Sequence, residues 1–191
     1  MERLKAETAA EHRRLEDRLN MAQALETREG YQRLLAGFYG MYEPLEDLLG
    51  QGLEDVGLDA ELGWEAQRLK VPLLYQDLQA LGASAEEIAA LPRCDDLPAL
   101  ATKADILGCL YVVEGSTLGG QVISKMIRAR LNLGPEDGAA FFSGYGSATG
   151  ERWRQVCGVL EAHTTDEAAA TETINSAKST FEAFERWLTR E

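Results

Sequence analysis

Apolar residues recur every three or four positions along most of the chain, and this spacing predicts helices. No stretch alternates apolar and polar side chains as a strand does, and the sequence contains no internal repeat. The predicted helices cover residues 2–20, 28–50, 60–81, 84–91, 151–162 and 167–189, with one long helix that ends near Leu131. The pattern therefore predicts a single all-α domain over residues 1–191, with about seven to nine helices.

Several helix boundaries have recognisable signals. Thr27 is a candidate N-cap, and Ser84 with Glu87 three residues later forms a predicted capping box. Pro44 suggests a bend within its helix, and Pro72 falls near the middle of the helix predicted over 60–81. The Gly- and Ser-rich residues 141–150 predict a loop or a helix break.

Composition and charge exclude some classes of protein. The 191 residues are 45% hydrophobic and 27% charged, as in a folded globular protein. The formal net charge is −13. Such a surface repels phosphate backbones, so nucleic acid is not an expected partner.

The sequence carries no predicted targeting or membrane segment. The first 19 residues lack the apolar core of a signal peptide, and no run approaches the predicted length of a membrane span. Cys94, Cys109 and Cys157 form no CxxC pair. We therefore expect neither a zinc knuckle nor covalent c-type haem, and a reduced cytoplasm fits best.

The first predicted helix carries a histidine on its apolar side. An arc of about 80° on the helical wheel holds five side chains: Leu4, Thr8, His12, Leu15 and Leu19. His12 is therefore expected to face the core. The other histidine, His163, lies in a polar stretch, and we assign it no role.

Two charged residues share the side of the helix that carries His12. Glu16, at i+4, can reach one imidazole nitrogen and fix the ring, as partners of metal-bound histidines do. Lys5 lies about 10.5 Å away along the axis, which suits the carboxylate rim of a flat ligand whose metal is bound to His12. The alternative is a histidine packed in the core beside two solvated charges, and this helix alone favours that alternative.

The long helix contains an unusual set of glycines. Gly115, Gly119 and Gly120 lie within it, and each costs about 1 kcal/mol relative to alanine. One explanation is close packing between helices. The other is that a flat ligand touches the backbone itself, which glycine permits.

Two segments together resemble the haem oxygenases: "LKAETAAEHRRLE" (residues 4–16) and "LYVVEGSTLGGQVI" (residues 110–123). The similarity is greater to bacterial members that make biliverdin, including those associated with bacteriophytochromes. The resemblance implies a haem-oxygenase-like bundle with haem between the N-terminal, proximal helix and a kinked, Gly-rich distal helix. It makes His12 the axial iron ligand and Glu16 its partner. It places Gly115, Ser116, Gly119 and Gly120 in the distal, catalytic helix, and further haem contacts at Lys5, Thr8, Tyr111 and, on a looser match, Arg154.

The resemblance also implies an activity. Haem b would be both cofactor and substrate, and O₂ with electrons from a ferredoxin- or flavodoxin-type system would convert it to biliverdin, CO and Fe²⁺. The bilin could supply a bacteriophytochrome, or the iron could be released for use. An acidic electron donor would need a basic patch, for which the sequence offers two clusters: Arg13, Arg14 and Arg18, and Lys125, Arg128 and Arg130.

Ser116 departs from the family pattern, because many eukaryotic members have an aspartate at this place. A haem-binding protein that stores, delivers or senses haem without degrading it therefore stays an alternative. A third interpretation is a helical interaction protein without haem, in which His12 is part of the core and the glycines only pack helices.

Overall fold

The computed structural model describes residues 1–190, apart from the side chain of Ala66. Every regular element in these residues is helical, as predicted. The α-helices are α1 (Glu2–Glu7), α2 (Ala9–Leu19), α3 (Met21–Ala24), α4 (Arg28–Asp55), α5 (Asp59–Leu62), α6 (Trp64–Gln67), α7 (Val71–Ala80), α8 (Ala85–Ala89), α9 (Lys103–Leu131), α10 (Ala140–Ser143), α11 (Thr149–His163) and α12 (Glu167–Leu188). A short 3-10 turn, Gly146–Ala148, lies between α10 and α11. Four of the twelve α-helices are single turns of four residues, and the other eight agree with the predicted seven to nine.

The predicted caps are present. The Thr27 hydroxyl accepts a hydrogen bond from the Gly30 amide at 2.9 Å, and Ser84 with Glu87 forms the full capping box at the start of α8. A second capping box, between Thr102 and Asp105, opens α9. These local bonds satisfy amide groups that the first helical turn leaves without partners.

The prediction of a single helix over residues 60–81 is wrong. The structure has two single turns, α5 and α6, followed by α7, and Pro72 lies in the first turn of α7. Proline is tolerated there because the first turn has no use for its missing amide hydrogen. Pro44, by contrast, lies inside α4, which continues through it.

The long helix α9 forms the centre of the domain and packs against α4, α10, α11 and α12. It approaches α12 closely at Gly108, where an added Cβ would come within 2.6 Å of both Ser176 Cβ and the Thr173 carbonyl oxygen. Only glycine permits this approach of the two backbones. Gly108 is thus a packing residue that positions α12.

The expectation that no segment reaches the length of a membrane span needs correction. By length and composition α9 is long and apolar enough to cross a membrane. About half of its most apolar stretch is buried within the domain. The core helix of a soluble protein has the same properties, and the packing of α9 among four other helices accounts for its apolar character.

Candidate active site between the first helices and the central helix

The first two helices run along α12 in the same direction as that helix. At one end Arg3 contacts Glu167 at 2.9 Å, and at the other Arg14 and Arg18 contact Glu185 at 2.6 and 2.9 Å. The stretch predicted as one helix over residues 2–20 breaks at Thr8, which ends α1 and precedes α2. Interhelical ion pairs therefore fix how α2 lies on the domain.

His12 is not in the core. Its side chain is 51% exposed, and no residue of α2 is fully buried, so the predicted burial is wrong. One edge of the imidazole packs against Phe181 of α12, with ring centroids 5.5 Å apart. Nδ1 lies 3.4 Å from a carboxylate oxygen of Glu16, the neighbour expected at i+4. The contact orients the ring and leaves Nε2 as the nitrogen available to a metal.

Thr8 lies beside Tyr111 of α9. Thr8 is buried, and its hydroxyl donates to the Leu4 carbonyl at 2.8 Å. Burial raises the pKa of the Tyr111 phenol, and the neighbouring Thr8 hydroxyl partly offsets this rise. Lys5 is exposed to solvent. The structure thus brings Thr8 and Tyr111 together, while Lys5 lies exposed on α1, less than one helical turn before Thr8.

The three glycines do not share one role. An added Cβ at Gly119 would meet no atom within 4 Å, so the backbone there faces open space. At Gly120 it would lie 2.9 Å from the Phe142 carbonyl oxygen, and Gly120 therefore packs against α10. At Gly115 it would lie 3.4 Å from the Trp153 ring, an ordinary contact. The packing explanation holds for Gly120, and a ligand touching the backbone remains the explanation for Gly119.

Two exposed apolar side chains flank the open glycine. Leu118 is 42% and Val122 is 62% exposed, and they are two of the three large hydrophobic residues exposed in the described part of the chain. They lie one helical turn apart on α9. A glycine beside exposed apolar side chains creates a surface on which a flat apolar ligand can lie.

Ser116 has a partner that sequence reasoning missed. The Tyr42 hydroxyl, on α4, lies 3.5 Å from Ser116 Oγ. Ser116 Oγ itself donates to the Val113 carbonyl at 2.7 Å. Tyr42 is buried and burial raises its pKa, so its phenol stays protonated at neutral pH. No sequence signal distinguishes Tyr42 from other apolar positions of α4.

One turn of α12 connects the two sides of the site. Phe181 contacts His12, and Phe184 packs against Tyr42 with ring centroids 5.5 Å apart. Tyr42 in turn contacts Ser116. His12 and the middle of α9 are therefore held at the same level of the bundle, although 104 residues separate His12 from Ser116 in the sequence.

Arg154 does not join this group. It is exposed, and its guanidinium donates to the Gly150 carbonyl of its own helix at 3.2 Å. The adjacent Trp153 instead faces the site, where its ring contacts Tyr111 at a centroid distance of 5.7 Å. Trp153 is thus better placed to contact a ligand at the site than Arg154, which the sequence predicted for this role.

The site has the composition expected for haem rather than for a metal ion held by protein alone. Within residues 1–190, no group of three or more His, Cys, Asp or Glu side chains is arranged to hold a metal. A single accessible histidine near an open glycine and exposed apolar side chains fits a metal that arrives inside a flat organic ring.

The family model described as "Heme oxygenase" matches residues 1–190. The chain belongs to the haem oxygenase family. A haem oxygenase from Xanthomonas campestris pv. campestris (strain 8004) is 36% identical over 164 residues, which cover 84% of this chain and 86% of that protein. As a family member, the chain is an oxidoreductase that acts on haem.

Solved structures show the same fold. The NO- and CO-bound haem oxygenase from Neisseria meningitidis aligns with a TM-score of 0.80 and 23% identity, over 98% of this chain and 88% of that one. The haem oxygenase from Leptospira interrogans aligns with a TM-score of 0.74 and 16% identity, over 97% and 96%. The predicted single-domain, haem-oxygenase-like bundle is therefore confirmed.

Proposed function

We propose that this haem oxygenase cleaves haem to biliverdin, CO and ferrous iron, using O₂ and external electrons. The observation that carries the proposal is His12, which is half exposed and held at the level of the glycine-bearing segment of α9. When bound, haem supplies both the iron centre that reacts with O₂ and the ring that is cleaved. His12 would hold the iron through Nε2, because Glu16 lies next to Nδ1.

The surface around Gly119 would receive one face of the porphyrin. The open space at its Cα lets a ring approach the backbone, and Leu118 and Val122 supply apolar contact. Burial of apolar surface contributes about 25 cal/mol per Å², so a porphyrin face covering this strip would add several kcal/mol to binding. Lys5, with Thr8 and Tyr111 nearby, would contact the propionates at the rim.

Ser116 and Tyr42 would supply the polar part of the distal side. Because Ser116 Oγ–H donates to Val113, its lone pairs are free to accept from Tyr42 or from water. Ordered water bonded to such hydroxyls can pass protons to a bound ligand. In this proposal the two hydroxyls take the place of the aspartate found in many eukaryotic members.

The electron donor would be a ferredoxin- or flavodoxin-type protein. Of the two basic clusters, Arg14 and Arg18 are already paired with Glu185. Lys125, Arg128 and Arg130 are exposed at the C-terminal end of α9, which makes that end the better contact for an acidic donor. Supply of the bilin to a bacteriophytochrome and release of iron rest on the sequence resemblance alone, and a cytoplasmic location rests on the cysteine pattern.

Anaerobic titration with haem, followed by air and a reductant, tests the activity. We expect a histidine-ligated haem spectrum that is replaced by a bilin spectrum, with CO and ferrous iron formed in proportion. Chromatography of the pigment identifies biliverdin. A stable haem complex that survives air and reductant would contradict the proposal.

A second candidate function is haem binding without degradation, and Ser116 favours it. A hydroxyl is a weaker proton donor than a carboxylic acid, so the distal side carries no acidic group at this position. The same titration separates the two candidates, because only the enzyme converts the bound haem to a bilin.

A further inference from the structure

A group of charged side chains is buried behind the distal helix, away from the surface at Gly119. At its centre Glu114 is only 1% exposed, and Arg68 and Lys70 are 0% and 2% exposed. One Glu114 oxygen accepts a hydrogen bond from the Arg68 guanidinium. The other accepts from Lys70 Nζ at 2.7 Å and from the Tyr145 hydroxyl at 2.8 Å. We call these four residues the Glu114 cluster.

The cluster joins the helices that surround the distal side. Arg68 also donates to the Leu62 carbonyl at 2.8 Å and to the Gln155 side chain of α11 at 2.6 Å. The backbone amide of Lys70 donates to Glu46 of α4 at 2.5 Å, one helical turn from Tyr42. A single carboxylate of α9 is thus connected to α4, to the start of α7, to the Tyr145 turn and to α11.

Stability alone is a poor explanation for such a cluster. Removing an ion from water costs several kcal/mol even in real proteins, and well-packed apolar residues often stabilise as well as a buried ion pair does. The best-supported use of buried polar groups is to fix one register among several packings. The cluster contains two cations and one carboxylate, so loss of Glu114 would leave both cations without their common partner.

The position of Glu114 on α9 indicates which rotation of that helix about its axis it fixes. On an α-helix, Glu114 and Ser116 lie about 160° apart, and Glu114 and Gly119 about 140° apart. With Glu114 bound on the inner side, Gly119 and Ser116 face outward, where the structure has them exposed. A rotation of α9 would bring other side chains, including Leu118, to the place of Gly119.

We propose that Glu114 is a positioning residue that fixes the rotation of α9, so that Gly119 and Ser116 face the haem. The proposal rests on the proposed function of the site between α2 and α9. Glu114 itself touches neither the open surface nor His12, and it acts only through the helix that carries it.

The main test compares Glu114→Gln with Glu185→Gln. Glu185 is the matched control, because it is a buried carboxylate that also receives two cations but lies on α12 next to α2. In haem-free protein, Glu114→Gln should raise hydrogen exchange at amides 115–121 by about ten-fold or more, with α12 amides unchanged. Glu185→Gln should leave exchange in α9 as in the wild type.

The second measurement is the C–O stretching frequency of the ferrous CO complex, which reports the groups beside the ligand. Glu114→Gln should shift or split this band relative to the wild type. Wild-type exchange in α9 together with an unshifted band in Glu114→Gln would overturn the proposal. Equal increases of hydrogen exchange at amides 115–121 in Glu114→Gln and Glu185→Gln would also overturn it, because they would show general loosening.

A milder variant covers the case in which Glu114→Gln does not fold. Tyr145→Phe removes one hydroxyl contact of Glu114 and leaves both cations in place, so it should show a smaller change of the same kind at 115–121. Wild-type exchange in Tyr145→Phe would then overturn the proposal. Failure of the wild type to bind haem would refute the proposed function instead, and the exchange measurement on haem-free protein would still test the role of Glu114.

Discussion

The two walls of the proposed haem site are built differently. The proximal wall is α2, a short helix without a fully buried residue, held to α12 by the half-exposed Arg14 and Arg18, which pair with Glu185. The distal wall is α9, which packs against four other helices and is held by the interior Glu114 cluster.

The difference has an energetic consequence. Ion pairs with a solvent-exposed partner, such as Arg14 and Arg18, contribute about 0.2–1 kcal/mol each, whereas breaking a pair that is buried on both sides typically costs about 3–5 kcal/mol. The helix that carries His12, the proposed iron ligand, is therefore the less firmly held of the two. The helix that determines the space beside the iron is the more firmly held. We infer that α2 can adjust as haem enters, while the shape of the distal surface stays constant.

The largest expected effect is loss of the proximal ligand. His12→Ala removes the only candidate ligand on α2, so the histidine-ligated Soret spectrum should disappear. Activity should fall by more than the roughly 10–100-fold that loss of a ligand's partner costs. The apolar surface near Gly119 is untouched, so haem should still bind, and added imidazole should restore part of the spectrum.

The control for this prediction is His163→Ala, which removes the other histidine, at the end of α11. It should preserve both spectrum and turnover. An unchanged Soret band in His12→Ala would show that the proximal wall has been assigned to the wrong helix.

On the distal wall, leucine substitutions at two neighbouring glycines should impair the protein in different ways. Gly119→Leu places a side chain where the structure has open space, so the haem-free protein should be as stable as the wild type or more stable by nearly 1 kcal/mol. Biliverdin formation should be almost abolished, because the leucine fills the space beside the ligand. Thermal unfolding and pigment yield should be measured on the same preparation.

Gly120→Leu is the matched variant. Its side chain would collide with the Phe142 carbonyl, and overpacking of this kind costs about 1–3 kcal/mol or more. We expect lower stability of the haem-free protein, with turnover by the folded fraction less affected than in Gly119→Leu. The same pattern of damage in both variants would mean that Gly119 also serves helix packing.

Rising pH should weaken the distal wall, and falling pH should weaken the proximal wall. Burial raises the pKa of Glu46, behind the distal wall, from 4.5 to about 7. A raised carboxyl pKa favours the folded state at low pH, and this contribution is lost as the pH rises from about 4.5 to about 7. Arg14, followed by Arg18, lowers the pKa of Glu185 from 4.5. Its contribution is present above pH 4.5 and is lost as the pH falls further.

Urea unfolding from about pH 3 to pH 8 measures both contributions. Glu46→Gln should flatten the pH dependence between 4.5 and about 7, and Glu185→Gln should flatten it below 4.5. Both effects are smaller than those of the glycine variants, because each carboxylate keeps some contact with water or with backbone amides. If both variants flattened the pH dependence of stability over the same pH range, the distinction between the two walls would be removed.

The smallest effect is expected at the rim of the proximal wall. Lys5 is exposed, and an exposed ion pair contributes about 0.2–1 kcal/mol, so Lys5→Ala should weaken haem binding only several-fold. The mixture of biliverdin isomers should shift if the haem turns in the site. Lys125→Ala, at the far end of α9, should leave affinity and isomers unchanged. Loss of affinity by orders of magnitude in Lys5→Ala would assign Lys5 a different role.

Local patterns in the sequence determined the helical class and many of the boundaries. The Thr27 cap and the Ser84–Glu87 capping box involve residues three positions apart, so their chemistry is visible along the chain. The contact between His12 and Glu16 is predictable for the same reason. The paired His and Gly motifs also identified the family, which the comparisons confirmed.

Only the tertiary structure decided which face of each element is covered, because that depends on neighbours distant in sequence. His12 lies on an apolar arc, yet it is half exposed because α2 contacts α12 on one side only. Gly119 and Gly120 are adjacent, but a carbonyl of α10 covers just one of them. Arg68 and Glu114 are 46 residues apart, and each alone is an ordinary charged residue. Their pairing exists only because the fold removes both from water and leaves each as the other's partner.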